Sequence, residues 1–216
     1  MIEVLAVATA YLVLFVLVEV YAKKTKANSE TTRKFVHIVA GSTAALLPLI
    51  MTFHQIAVVS LLFITVMLVS KRQNFFSSIH KVTRKTHGEI YFPFAILITA
   101  LLFPTTELYM YGLLIMAVSD GLASIVGQKY GHKTYRFLGA HKSYIGSIAF
   151  FISATVIGLI ILTSFTSLGV APILIGSVLL AFILTVVEAG LAHGLDNLLL
   201  PPVSALLLSI FLTYFG

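Results

Sequence analysis

Charge is scarce in this chain of 216 residues: only 10% are Asp, Glu, Lys or Arg, 59% are apolar, and cysteine is absent. The lack of Cys excludes disulfides and thiolate metal sites. The shortage of charge, with a strongly positive mean hydropathy, excludes an ordinary soluble domain. Neither a Gly-x-x-x-x-Gly-Lys-Ser/Thr loop nor the protein-kinase signature set occurs, which leaves no familiar soluble ATP site. Linkers, low-complexity stretches and internal repeats are missing too, so residues 1–216 read as a single membrane-embedded domain.

What is present is apolar sequence in lengths that suit a bilayer. A hydrocarbon core of roughly 30 Å needs about 20 helical residues. Eight stretches approach that length: 2–21, 35–53, 56–69, 90–103, 108–126, 144–162, 170–187 and 198–215. The expected fold is therefore all-α, a polytopic integral membrane protein with about eight transmembrane helices. The third and fourth stretches are short enough for re-entrant elements, but the basic residues argue for full crossings. All fourteen Lys and Arg lie in the gaps 23–34, 71–85 and 129–142, which hold five, five and four, and the alternate gaps hold none. Cytoplasmic loops collect such residues, so regular crossing assigns these gaps to the cytoplasm and both termini to the opposite side. The first span has neither a basic leader nor a small-residue cleavage site and is expected to be a retained helix. Phe75, Phe76, Ile79 and Val82, set among cations of the second basic gap, suit a segment lying on the membrane surface.

This topology also places functional groups. Spans two, four, six and eight start at the cytoplasmic face, so four helix amino termini, with unpaired N–H groups and partial positive charge, point to where phosphate could bind. Arg33, Lys34 and His37 stand at the first of these ends, and His87, Gly88 and Glu89 at the second. Lys142, Ser143, Gly146 and Ser147 stand at the third, and Asp196 and Asn197 at the fourth. Asp120 is the costliest residue, roughly 12 Å inside its helix end if the span stops near Gln128. At that depth an ionised carboxylate needs a partner, a metal or a wet cavity; otherwise it is a hydrogen-bonded Asp joining two helices.

Gly121, Ser124, Gly127 and Gly131 follow, a small-residue series that allows close helix approach or open backbone around a ligand. Ser143 reads equally well as a helix cap, while a Lys before a Ser- and Gly-rich helix start suits phosphate oxygens. Glu188 closes an apolar span at the negative helix end, where a carboxylate is unfavourable unless a cation offsets it. Asp196 can cap the last helix. With Asp120, Glu188 and Asn197 it can instead provide oxygens for Mg²⁺, which takes one or two carboxylates plus phosphates and water. Arg33 and His37, four residues apart, share a helix face, and Lys34 reads as either a membrane anchor or a ligand. Pro201 and Pro202 are expected to break the last helix or to start it sharply.

In order along the chain stand Arg33-Lys34-Phe35-Val36-His37-Ile38 with Gly41, Gly88-Glu89 with Phe92-Pro93, and Asp120-Gly121 with Ala123, Gly127 and Gly131. Lys142-Ser143 with Gly146-Ser147, then Glu188, then Asp196-Asn197-Leu198 with Pro201, complete the series. In this order and on one membrane face, the set resembles the CTP-dependent lipid kinases that include dolichol kinase, phytol kinase and the CTP-dependent diacylglycerol kinase, over most of the chain. The resemblance implies transfer of the γ-phosphate of CTP to a lipid hydroxyl, with Mg²⁺, at the cytoplasmic surface. Preference for CTP over ATP rests on it alone.

Phosphoryl transfer depends on positioning and on neutralising charge. The expectation is that Arg33, Lys34, Gly121, Lys142, Ser143, Gly146, Ser147 and Asn197 hold the nucleotide. Asp120, Glu188 and Asp196 are then metal ligands, and one of them or His37 accepts the alcohol proton. The expected partners are a lipid alcohol, a nucleoside triphosphate and the bilayer, with no nucleic acid. A cytidylyltransferase of the phosphatidate type would use the same basin and release pyrophosphate. A transporter would string Asp120, Glu188 and Asp196 along an ion path, but the far ends of the spans offer it only Glu3, His54 and Glu107. A CDP-alcohol phosphotransferase also starts its motif with Asp-Gly, yet the Arg and spaced acids that should follow are missing after Asp120.

Overall fold

The computed structural model describes residues 2–25, 29–73, 88–192 and 194–215. They form helices α1 (Ile2–Thr25), α2 (Ser29–Ala45), α3 (Phe53–Gln73), α4 (Gly88–Leu102), α5 (Thr106–Tyr130), α6 (Tyr144–Phe165), α7 (Val170–Gly190) and α8 (Asp196–Phe215). A two-stranded antiparallel hairpin, β1 (Thr134–Phe137) and β2 (Ala140–Ser143), joins α5 to α6. Among the described residues, α1, α3, α5, α6, α7 and α8 are long and apolar enough to cross a membrane, while α2 and α4 contribute the shorter apolar segments Lys34–Leu49 and Ile90–Leu102. Large side chains such as Leu101, Val170, Ile175 and Phe182 face outward along these helices, a surface suited to lipid. The chain is an all-α integral membrane protein with several crossings.

The third expected span is longer than its sequence limits, since Phe53–Ser70 is continuous apolar helix. The segment expected on the membrane surface, Phe75 to Val82, lies outside the described residues, as does His87. Pro201 and Pro202 do not break the last helix: α8 begins at Asp196 and runs through both. They fall within its second turn, where the N–H groups they lack are just becoming necessary, so the loss is confined to two hydrogen bonds.

Helix α5 is the centre of the bundle. Tyr109, Tyr111, Leu113, Ile115 and Met116 are fully buried, and α2, α6 and α8 pack around it. Between Ile115 and Asp120 its backbone opens into one wider turn, a feature that recurs at functional sites. Asp120 ends that turn, ten residues before Tyr130, roughly 15 Å along the axis.

The hairpin is a departure from a purely helical chain. Leu138 and Gly139 both have left-handed backbone, with φ of 46° and 86°, the pair of positive angles that a two-residue hairpin turn requires. Only Gly139 advertises it in sequence.

Candidate active site

Two close approaches set the first half of the site. A Cβ on Gly41 would lie 2.5 Å from the Ala117 Cβ, and one on Gly121 would lie 2.6 Å from Ile38 Cγ1, so α2 and α5 are nearly in backbone contact there. That proximity brings His37 against the wide turn. Its Nε2–H donates to the Met116 carbonyl at 3.1 Å, and the same nitrogen stands 4.0 Å from Asp120 Oδ2. With Nε2 committed as a donor, Nδ1 is the nitrogen that carries the lone pair whenever the ring is neutral. Phe92 on α4 lies edge-on to the imidazole, ring centroids 5.6 Å apart.

One turn before His37, Lys34 is buried against α5 and donates to the Ser124 carbonyl at 3.4 Å. It therefore points into the bundle, where a membrane anchor would point out. The Arg33 side chain lies outside the described residues.

The second half of the site depends on the hairpin. Tyr135 pairs with Lys142 across the strands, and its hydroxyl shares a 2.6 Å hydrogen bond with Ser147 on α6. The turn residues Phe137 and Leu138 rest over Gly190 at the end of α7. Thus held, Lys142 reaches down to Glu188, and the two form an ion pair. The side chain of Glu188 is only 4% exposed and that of Lys142 is 19% exposed. The unfavourable carboxylate at a negative helix end has its cation, and that cation is an ammonium.

Burial works against the charge on Lys142, but Glu188 first, and then Asp120 and Asp196, outweigh it and hold the ammonium above its ordinary pKa. These three carboxylates, drawn from α7, α5 and the start of α8, therefore share one electrostatic basin around Lys142.

Several expected phosphate ligands are occupied locally. Ser143 caps α6, accepting from the Gly146 N–H at 3.1 Å, and Gly127 and Gly146 make room for its side chain. Gly121 packs on Ile38, and Ser147 holds Tyr135. Asp196 accepts from the Asn197 N–H at 3.0 Å, and Asn197 is buried.

Among the described residues, no three His, Asp or Glu side chains converge closely enough to form a metal cage. Glu188 pairs with Lys142 instead, and Asp120 and Asp196 act electrostatically on the same ammonium. An Mg²⁺ needing only one or two protein carboxylates still fits, because Glu188 Oε2 is buried without a hydrogen-bond partner among the described residues and can accept a cation. Sequence reading passed over Glu19, a buried carboxylate of α1, although an acid inside an apolar span was the signal used for Asp120. It also passed over Tyr135, whose role depends on the strand pairing.

With this geometry in place, similarity to known proteins becomes informative. The chain is 28% identical over 188 residues to a phytol kinase of Synechocystis, covering 83% of this chain and 78% of that protein. The chain is a homologue of the phytol kinases. A probable chloroplastic phytol kinase of Oryza sativa is 35% identical over 83 residues, and one of Glycine max is 30% identical over 132. The matched regions are 26% and 45% of those plant proteins. No family model matches the chain, and no solved structure matches it significantly. The resemblance to lipid kinases drawn from the residues is thereby borne out at the level of the family.

Proposed function

We propose that this protein is a CTP-dependent kinase that phosphorylates the hydroxyl of a membrane lipid alcohol at the cytoplasmic face. The observation that carries the reading is the half-buried Lys142, paired with Glu188 and held charged also by Asp120 and Asp196, in a homologue of phytol kinases. A cation held charged among carboxylates suits a triphosphate: its oxygens would take the ammonium, and the carboxylate so freed is a group that would hold a metal. The cytoplasmic placement is supported by the three basic gaps.

In the proposed reaction the lipid oxygen attacks the γ-phosphorus. A new P–O bond forms, the bond to the β-phosphate oxygen breaks, and CDP leaves. The alcohol proton passes to Asp120 or to His37, two groups whose side chains lie 4.0 Å apart. Lys142 and Lys34 stabilise the charge gathering on the phosphate oxygens. Mg²⁺, when bound, would neutralise the triphosphate, with Glu188 and Asp120 or Asp196 as the residues that would hold it. The Met116 carbonyl keeps the His37 ring in one orientation.

The test is to incubate purified protein with γ-labelled CTP or ATP, Mg²⁺ and a panel of lipid alcohols and diacylglycerol. The expected result is label in an isoprenoid alcohol, with CTP preferred and CDP as co-product. Release of pyrophosphate would replace this reading by cytidylyl transfer, and absence of labelled lipid from every acceptor would refute the kinase.

A further inference from the structure

The two faces of the β1–β2 hairpin keep different company. Tyr135 and Lys142 stand opposite each other across the strands, and both turn toward the bundle, Tyr135 to Ser147 and Lys142 to Glu188. Side chains alternate along a strand, so the next pair in register, Arg136 and His141, stands on the outer face, and both residues are exposed. Lys133, just before β1, and Lys129, at the end of α5, are exposed as well.

Nothing in the neighbouring sequence neutralises this face. Between Gly121 and Val187 the chain contains no Asp or Glu, so the end of α5, the hairpin and all of α6 contribute only cations. Lys142 finds its carboxylate on α7. Lys129, Lys133 and Arg136 are left in water above it. Arg136 is one residue along the strand from Tyr135, the partner of Lys142. Strand rise and pair spacing therefore put its Cα about 6 Å from that of Lys142. That is less than the Debye length of about 10 Å at 0.1 M salt, so the outer cations and the charged basin belong to one field. Cations needed only to orient the chain could stand anywhere in the gap. These stand on the aqueous face of the element that carries Lys142.

We infer that the outer face of the hairpin is an electrostatic docking surface that draws a nucleoside triphosphate from water toward Lys142. The inference rests on the nucleotide-dependent reading above and adds to it the side from which the donor enters. Lys133 and Arg136 act at range: they raise the local concentration of a polyanion at the mouth of the basin, and Lys142 then takes its phosphate oxygens. An uncharged lipid alcohol gains nothing from this field.

The test uses the full chain in phosphatidylcholine vesicles and the double variant Lys133→Gln with Arg136→Gln. At about 0.02 M salt its KM for CTP should rise about fivefold, the effect of two unit charges acting at roughly 10 Å on a polyanion. The difference should vanish toward about 1 M salt, where screening is nearly complete, with kcat and the KM for the alcohol unchanged throughout. Lys133→Arg with Arg136→Lys keeps the charge and should match the wild type. An unchanged KM for CTP in the neutral variant would overturn the docking surface. So would an effect that persists at about 1 M salt, or a charge-conserving variant as weak as the neutral one, since either marks a direct contact. An effect seen only when anionic lipid is added to the vesicles would assign this face to the membrane and overturn it too. Equilibrium dialysis of a non-hydrolysable CTP analogue is independent of turnover. If the wild type transfers no phosphate but binds the analogue with the same dependence on salt and charge, the kinase reading fails and the docking surface stands.

Discussion

Removing the Lys142 ammonium should be costly because of what it leaves behind. Glu188 is almost wholly buried at the negative end of α7; among the described residues its Oε1 pairs with Lys142 and its Oε2 has no hydrogen-bond partner. Lys142→Ala strands that carboxylate, and breaking a buried pair from one side costs about 3–5 kcal/mol. Glu188→Gln should cost less, about 1–2 kcal/mol, because Asp120 and Asp196 continue to compensate the ammonium and the new amide is neutral. In the double variant Lys142→Met with Glu188→Leu the buried pair is removed from both sides and only the weaker attraction of the ammonium for Asp120 and Asp196 is lost, so most of the stability lost in Lys142→Ala should return. Unfolding in detergent micelles followed by circular dichroism gives all three values and, by the double-mutant cycle, the coupling energy. Phosphate transfer measured alongside should be lost in every variant, including the stable double one. A cost for Lys142→Ala below about 1 kcal/mol, the range of an exposed ion pair, would show that the pair is not buried as described and would refute the reasoning.

Asp120→Asn keeps the shape of the side chain and removes its charge and basicity; the expected loss in kcat is about 10²–10⁴ with little change in thermal stability, and near-normal turnover would exclude Asp120 from the chemistry. Gly121→Val should separate α2 from α5, because even a Cβ there would stand 2.6 Å from Ile38. The expected cost is about 1–3 kcal/mol, with activity falling as His37 withdraws from Asp120, and unfolding together with kcat measures both. The Lys142 pKa in the folded state is raised above its ordinary 10.5, so the pair's contribution is fully present below that value and disappears as pH rises through the folded pKa. The difference in melting temperature between wild type and the double variant Lys142→Met with Glu188→Leu, which leaves no stranded Glu188 to titrate, should therefore be constant from neutral pH to about pH 10 and shrink above it; a difference that already shrinks near neutrality would contradict the raised value.

Much of the site was legible because a bilayer makes polar residues conspicuous. Asp120 and Glu188 were singled out by their cost inside apolar spans, and each has a nitrogen base beside it, the His37 imidazole for one and the Lys142 ammonium for the other. Lys34 shows the limit of such reading. Position alone left it divided between anchor and ligand, and its inward direction follows from packing against α5. Ser143, Gly146 and Ser147 formed an attractive phosphate motif in sequence, yet the cap and the Tyr135 hydroxyl already use Ser143, one N–H and Ser147. The hairpin was illegible because its left-handed Leu138 is an unusual turn residue, and without the hairpin the reach of Lys142 toward Glu188 could not be foreseen.

By itself the sequence determined the membrane fold, the helical elements and the kinship with lipid kinases, since hydropathy is summed over about 20 residues at a time and a few wrong guesses do not alter it. It also determined which groups are chemically capable. Tertiary structure decided their partners: that the cation answering Glu188 is Lys142, and that His37 meets Asp120 through a glycine-permitted crossing. Such pairings depend on side chains remote in sequence coming within a few ångströms, and single-ångström distances between helices are set by packing, which no local pattern encodes.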